Sequence, residues 1–588
     1  MLRPNFYPVS PISPMTAYGR AGVGIIVLIV AGCGGKDADG TARDTAPASS
    51  SGDVVGGIPL VDITARAGLD VSLARAQDGR YFMPDSMTGG CALLDADGDG
   101  DLDIFLAHGR WVDGAPAPDG LGRLFLRGDD GRYGDVSHDS GVVAPYYGMG
   151  VAVGDVDADG DVDLYVSCYG TDRLLLNDGA GKFTDTTESA GLGQADWGTS
   201  CCFFDYDADG LLDLFVANYV DFPPDEESRD RRGDPEYPAP GNYQGQPDRL
   251  YRGVGDGTFH DVSREVGIAE AQGRGLGVAA GDWNGDGRVD IYVANDGEAN
   301  HCWIQQADGR FQENAFAMGL AVSGSGRAEA GMGIAHGDVD GDGREDLVVT
   351  HLVQETHTYY RSGENGLFRD STLASGLARP SINMTGFGAV LADVDLDGAL
   401  ELVLAHGRVL RGPEVSGASG ATRWRSYAEP NAILRAEGGR FAGVSAGEFD
   451  RAVEASRGLA LGDIDADGDL DVLVTNAGGT VRLYETRGAP AGGWLAVRAM
   501  DPSLGGRDVY GAKISLQVGD LTQSRIVQPA HGYLSSSEPA VRFGLGGPPP
   551  GDGARIEVNW PDGTRERFEG PWNTVLTAYY GKGDLLER

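Results

Sequence analysis

Asp95, Asp97, Asp99 and Asp103 stand at positions 1, 3, 5 and 9 of a short loop whose sixth residue is Gly100, and the arrangement returns along the chain until there are seven. The second and third loops carry Asp155, Asp157, Asp159, Asp163 and Asp205, Asp207, Asp209, Asp213. The fourth exchanges one acid for an amide (Asp282, Asn284, Asp286, Asp290), and the fifth has Asp338, Asp340, Asp342 and Asp346. The sixth ends in Glu (Asp393, Asp395, Asp397, Glu401), and the seventh reads Asp463, Asp465, Asp467, Asp471. Side-chain oxygens at positions 1, 3 and 5 of a tight turn converge on one point, the Gly lets the backbone reverse, and the acid at position 9 closes the far side. Such a cage suits a hard cation with many oxygen ligands, and Ca²⁺ better than the strictly octahedral Mg²⁺. Asp-Gly turns also form without metal. However, unit charges about 4 Å apart repel by roughly 4 kcal/mol per pair at an effective dielectric near 20, so four converging carboxylates call for a counter-ion. Up to seven bound Ca²⁺ are expected.

The residues around each loop must be strands. A short apolar run precedes it (Cys91-Ala-Leu-Leu94, Val151-Ala-Val153) and another follows (Ile104-Phe-Leu106, Leu164-Tyr-Val166), so each loop is the turn of a hairpin. A third apolar piece comes next (Leu124-Phe-Leu126, Ile433-Leu434). Then comes a polar-alternating strand led by Tyr133, Phe183, Phe259, Phe311, Phe368 or Phe441. Four short strands repeated seven times make an all-β, seven-bladed β-propeller over 58–490, followed by a small C-terminal β domain over 491–588. Separate modules of roughly 60 residues would each have to bury a core alone, which is difficult at that size. The seventh repeat lacks its fourth strand. Leu60-Val-Asp62-Ile-Thr64 with Ala67-Gly68-Leu69 matches that strand's pattern and is expected to complete the last blade.

With 94 glycines and a formal charge of -41, the chain is an unsuitable partner for nucleic acid or an anionic membrane surface. Seven Ca²⁺ would bring the charge to about -27. Residues 21–31 form an apolar run after Arg20, ending in Val30-Ala31-Gly32-Cys33. The run is shorter than a membrane span, and it resembles a lipoprotein signal over 1–33 with Cys33 as the lipidated residue. Residues 34–57 read as a flexible tether. The address is therefore exported, at the outer membrane or cell surface through a lipid anchor, or secreted. Five further cysteines (Cys91, Cys168, Cys201, Cys202, Cys302) are an odd number with no disulfide or zinc spacing and read as buried thiols.

The repeats resemble FG-GAP/VCBS repeats of the integrin α kind, and the tail is similar to the ASPIC/UnbV domain of the cartilage acidic protein family. The tail motifs are Trp494-Leu495, Gly511-Ala-Lys-Ile514, Gly532-Tyr-Leu-Ser-Ser-Ser-Glu-Pro539, Phe543-Gly-Leu-Gly546 and Val558-Asn-Trp-Pro-Asp-Gly563. The resemblance implies a secreted or surface-attached calcium-binding protein and supplies no catalytic residue.

Two inserts break the spacing, 219–247 in blade 3 and 408–430 in blade 6, and both lie on the face opposite the acidic hairpins. The second holds Arg411, Arg423, Trp424, Arg425 and Tyr427, types that dominate interface hot spots, so this rim is the expected contact surface. His108, His351 and His406 follow second strands on the same face. The favoured function is a monomeric, non-enzymatic binding or adhesion module for extracellular protein or glycan. The alternative is an extracellular hydrolase or lyase acting on a polymer at the propeller axis, although no nucleophile elbow, HExxH or P-loop is present.

Overall fold

The computed structural model describes residues 55–73, 81–109, 111–112, 115–116, 122–223, 228–488, 492–519, 521–551 and 553–587. The signal segment, Cys33 and tether residues 34–54 lie outside them. The last tether residues differ from expectation: Val55–Gly57 is a strand running parallel to Arg440–Ser445.

Each acidic loop joins the first and second strands of a four-stranded antiparallel sheet. In sheet 1 the order is Cys91–Leu94, Asp103–Leu106, Arg123–Arg127, Tyr133–Asp135. The later sheets begin at Gly148–Gly154, Gly198–Phe204, Gly275–Gly281, Ile334–Gly337, Gly386–Ala392 and Ser456–Gly462. These first strands touch in a closed cycle, each against the next and the seventh sheet's against the first's, so the sheets stand as blades around one axis. The inner strands are flanked by neighbouring sheets on both faces. They are therefore apolar without alternation, whereas outer strands such as Phe183–Asp185 bury only the leading aromatic.

The outer strand of five of the seven blades is fastened by the same device. In Phe183-Thr-Asp185-Thr-Thr187, Asp185 accepts the N–H and hydroxyl of Thr187, and that hydroxyl oxygen accepts the Leu174 N–H of the third strand at 2.9 Å. Asp135/Ser137, Asp261/Ser263 and Asp370/Thr372 repeat it. In sheet 7 the same parts come from the far end of the sequence. Leu60–Asp62 pairs with Arg482–Thr486, Asp62 accepts the Thr64 N–H, and Thr64 Oγ1 accepts the Leu483 N–H at 3.0 Å. The ring closes through residues 60–64.

The C-terminal residues form two sheets. One contains Arg507–Asp508, Trp494–Asp501, Val541–Gly544 and Val575–Tyr579; the other contains Leu521–Ile526, Lys513–Val518, Ala554–Asn559, Arg565–Gly570 and Asp584–Glu587. This domain does not trail behind the propeller. Its Val497, Ile514 and Phe543 share one hydrophobic core with Phe203, Tyr206 and Val278 of blades 3 and 4. Among the described residues, no helix is long and apolar enough to cross a membrane.

Candidate metal-binding face

All seven hairpins are built alike. The position-1 carboxylate accepts the N–H of the position-6 glycine, as Asp95 does from Gly100 (3.1 Å) and Asp463 from Gly468 (2.9 Å). Every one of these glycines has positive φ, from 85° at Gly287 and Gly343 to 106° at Gly468, a backbone state that other residues reach only with strain. The position-9 acid is buried and bridges backbone. Asp163 accepts N–H groups from Val156 and Asn177 (both 2.9 Å), and Asp213 does the same for Tyr206 and Gly253. It ties the hairpin to the third strand as well as facing the loop.

Ligand atoms of three acids lie within 4.8 Å of one another in at least five of the loops, among them Asp95/Asp97/Asp99, Asp155/Asp157/Asp163, Asp205/Asp207/Asp213, Asp338/Asp340/Asp342 and Asp393/Asp395/Glu401. Burial pushes Asp163, Asp213 and Asp471 up to about 8, and Asp103, Asp290, Asp346 and Asp393 up to about 7. Without a cation these groups prefer to be protonated. In the first two loops the buried Asp95 Oδ1, Asp97 Oδ1 and Asp157 Oδ1 have no hydrogen-bond partner within the chain. Hard, clustered and partly unspent oxygens of this kind fit Ca²⁺. In loop 4 the Asn284 amide donates to Asp286 (2.8 Å).

Loop 6 differs. Arg435, directly across the ladder from Glu401, reaches Asp395 (2.8 Å), Asp397 and Glu401 (3.1 Å) with a guanidinium only 15% exposed. Among the described residues no other loop has one arginine on three of its acids: Arg288 pairs with Asp286, Arg344 with Asp342 and the buried Arg542 with Asp463. Arg361 reaches Asp340 in loop 5, and Arg252 stands 3.9 Å from Asp207 in loop 3, but both are about half exposed and each meets a single acid. Arg435 was missed in the sequence, although its place opposite Glu401 follows from counting along the hairpin.

The face carrying the hairpins is covered by the C-terminal domain. Arg507 donates to the carbonyls of Asp155 and Gly210, Lys513 Nζ to Gly343 O (2.8 Å) and the Gly544 N–H to Asp393 (2.8 Å), while Arg542 pairs with Asp463 at 3.4 Å. From this domain residues 532–538 descend into the axis. They exchange backbone hydrogen bonds with the inner strands of blades 1, 2, 5 and 7: Leu93 and Val151 donate to Ser536 and Leu534 (3.1 and 3.0 Å), Gly532 and Ile334 bond reciprocally, and Glu538 donates to Leu461 (3.0 Å). The free inner edges of those strands are thereby satisfied. Tyr533, fully buried, stacks edge-on against Phe387 and donates to Met87 O at 2.5 Å.

At the opposite end the two inserts do not splay out as a rim. They meet one another. Tyr237 stacks on Trp424 at 5.6 Å between ring centres, Tyr427 donates to Glu236 (2.5 Å) and Arg411 to Pro235 O (2.5 Å). Trp424 is 3% exposed and lies against Gly478, so it cannot serve as the expected contact residue. His351 and His406 are joined by His357: the His351 N–H donates to His357 Nδ1 (3.2 Å), His357 Nε2 faces His406 Nε2 (3.4 Å), and His406 Nδ1 reaches Pro430 O (2.9 Å). Burial pushes His351 and His406 down to about 4 and lowers His357 well below the usual imidazole range, so the trio is a neutral tie between blades 5 and 6. His108 follows the second strand of blade 1, which does not adjoin them. The five described cysteines are free and buried, and burial raises each thiol.

A ring of calcium-type hairpins sealed by a C-terminal β domain defines the class, and the comparisons agree. Residues 155–216, 233–293, 282–349 and 338–404 match the FG-GAP-like repeat, and 503–581 match ASPIC and UnbV. The chain consists of FG-GAP-like repeats with an ASPIC and UnbV domain, and it is homologous to cartilage acidic protein 1. It is 27% identical to that protein of Xenopus tropicalis over 332 residues (55% of this chain, 48% of the relative) and 25% identical to that of Homo sapiens over 335 residues (55% and 47%). It thus spans about half the length of the curated relatives it matches. Similar solved structures include an Agrocybe aegerita protein that recognises non-reducing terminal N-acetylglucosamine (13% identity, TM-score 0.35, covering 63% of this chain and 91% of that one). Another is the BBS1N–ARL6DN complex (10%, TM-score 0.38, covering 71% and 95%).

Proposed function

We propose that this protein is an extracellular binding module, surface-attached or secreted, whose hairpin face is set by Ca²⁺ and whose C-terminal domain reads that face. The observation that carries the proposal is the docking of one domain onto five of the acidic hairpins through loop carbonyls and carboxylates. Bound ions would fix the loop backbone and so fix the docking surface. The alternative of polymer cleavage at the axis is opposed by residues 532–538, which fill that space. Chelation should lower the melting temperature of the full chain by removing a ligand that binds only the folded state, and added Ca²⁺ should restore it. Identical melting curves with Ca²⁺ and with chelator would reject the calcium role. Failure to retain any native cell-surface or matrix material would reject the binding role.

A further inference from the structure

Between the C-terminal domain and the hairpins of blades 3, 4 and 5 lies a cleft of about 970 Å³, bounded by loop 4 on one side and the 559–563 turn on the other. That is the upper end of the range for small-molecule sites, about 300–1,000 Å³. Five carboxylates line its walls; three of them, Asp205, Asp207 and Asp282, stand in the acidic loops and would be engaged by Ca²⁺, but the whole chain is strongly acidic, so an anionic ligand would be repelled. Two lining groups are buried with unspent hydrogen-bonding capacity. Trp283 is 2% exposed, and its Nε1–H has no hydrogen-bond partner among the described residues; Gln528 is 6% exposed, and its Oε1 has none among them either. One is a pure donor and the other an acceptor. Further in, the cleft shares Glu345 and Gln528 with a chamber of about 100 Å³ where His336 Nδ1 contacts Glu345 at 3.0 Å, leaving its buried Nε2 without a partner.

A ligand for this cleft must therefore both accept and donate hydrogen bonds, repeatedly and without net charge. Hydroxyl groups do this, whereas a phosphate only accepts and an ammonium only donates. Apolar area is too broken by polar groups for a protein edge that needs a continuous hydrophobic centre. We propose that the cleft between loop 4 and the 559–563 turn is the recognition site and that it binds a neutral oligosaccharide. This rests on the binding reading above and narrows it to one place and one ligand class.

Full-length protein would be applied, with Ca²⁺, to an array of neutral and acidic oligosaccharides and to native cell-surface material. Neutral array members are expected to bind, and Trp283→Phe, which removes the donor and keeps a ring, should weaken them at least tenfold. Asn559→Trp, on an exposed position at the cleft mouth, should do the same by obstruction, with melting temperature and calcium content unchanged. Neutral-glycan binding untouched by both variants would overturn the assignment to the cleft while leaving the binding module standing. Retention of only acidic glycans or of surface protein would overturn the ligand class. Retention of nothing would overturn the binding reading itself.

Discussion

Single residues set how many carboxylates of a hairpin stay free for an ion. Arg435 meets three acids of loop 6 from a mostly buried position, and displacing it would expose those acids to one another. Wild-type protein should therefore bind at most six Ca²⁺, and Arg435→Ala should bind one more, both counted by elemental analysis after dialysis; an unchanged count would show that the guanidinium yields to the ion. Protonation gives a second test. In the ion-free protein burial raises Asp163, Asp213 and Asp471 from about 3.8 to about 8, so the folded state holds more protons than the unfolded one. Its stability is complete below about pH 4 as far as these groups are concerned, and is lost as pH rises through about 8. The melting temperature of chelated protein should fall between pH 5 and 8.5, and the gap to the Ca²⁺-loaded protein should widen. A flat profile for the chelated form would mean that the acids are not desolvated. The convergence of the acids could be read from spacing because a tight turn needs fixed offsets. Arg435 leaves no such local mark, since it stands 34 residues from Glu401 and meets it only across the ladder between two strands.

At the level of elements, the repeat itself was readable: hairpin, third strand and aromatic-led outer strand each leave a local pattern. So did the closing strand, because the Asp62/Thr64 device copies the other blades. Deleting residues 55–69 should remove the outer strand of blade 7 and expose the Arg482–Thr486 edge, an invitation to aggregation; deleting 34–54 should leave melting unchanged. Equal behaviour of the two truncations would disprove the closure. What was not readable was the fate of the inserts. Arg and Trp in a loop are compatible with an open contact surface, but here Trp424 finds its partner, Tyr237, in the other insert 187 residues earlier. Composition reports what a side chain can bind and not whether the fold has already supplied it.

The propeller and the C-terminal domain form one body because residues 532–538 thread the ring. Sequence marked these residues as a motif without a role, since their partners lie in four different blades earlier in the chain. Leu534 is 1% exposed with its backbone against Gly90 and Gly150, where a Cβ would stand 2.3 Å from Leu534 O and 3.2 Å from Leu534 Cα. Leu534→Asp should place an unpaired charge in the axis and destabilise the protein by several kcal/mol, roughly 3–5. Gly90→Val should have a comparable effect by exclusion. If either variant melts like wild type, the loop does not occupy the axis in solution.

The same threading orders events in time. Blade 7 needs residues 60–64, made early, and the axis needs residues 532–538, made late. The ring can close only once residue 486 exists, and contacts this far apart in sequence form slowly. Complete packing waits longer still: a chain that stops before residue 532 leaves the N–H groups of Leu93, Val151 and Ile334 without the acceptors that line the axis.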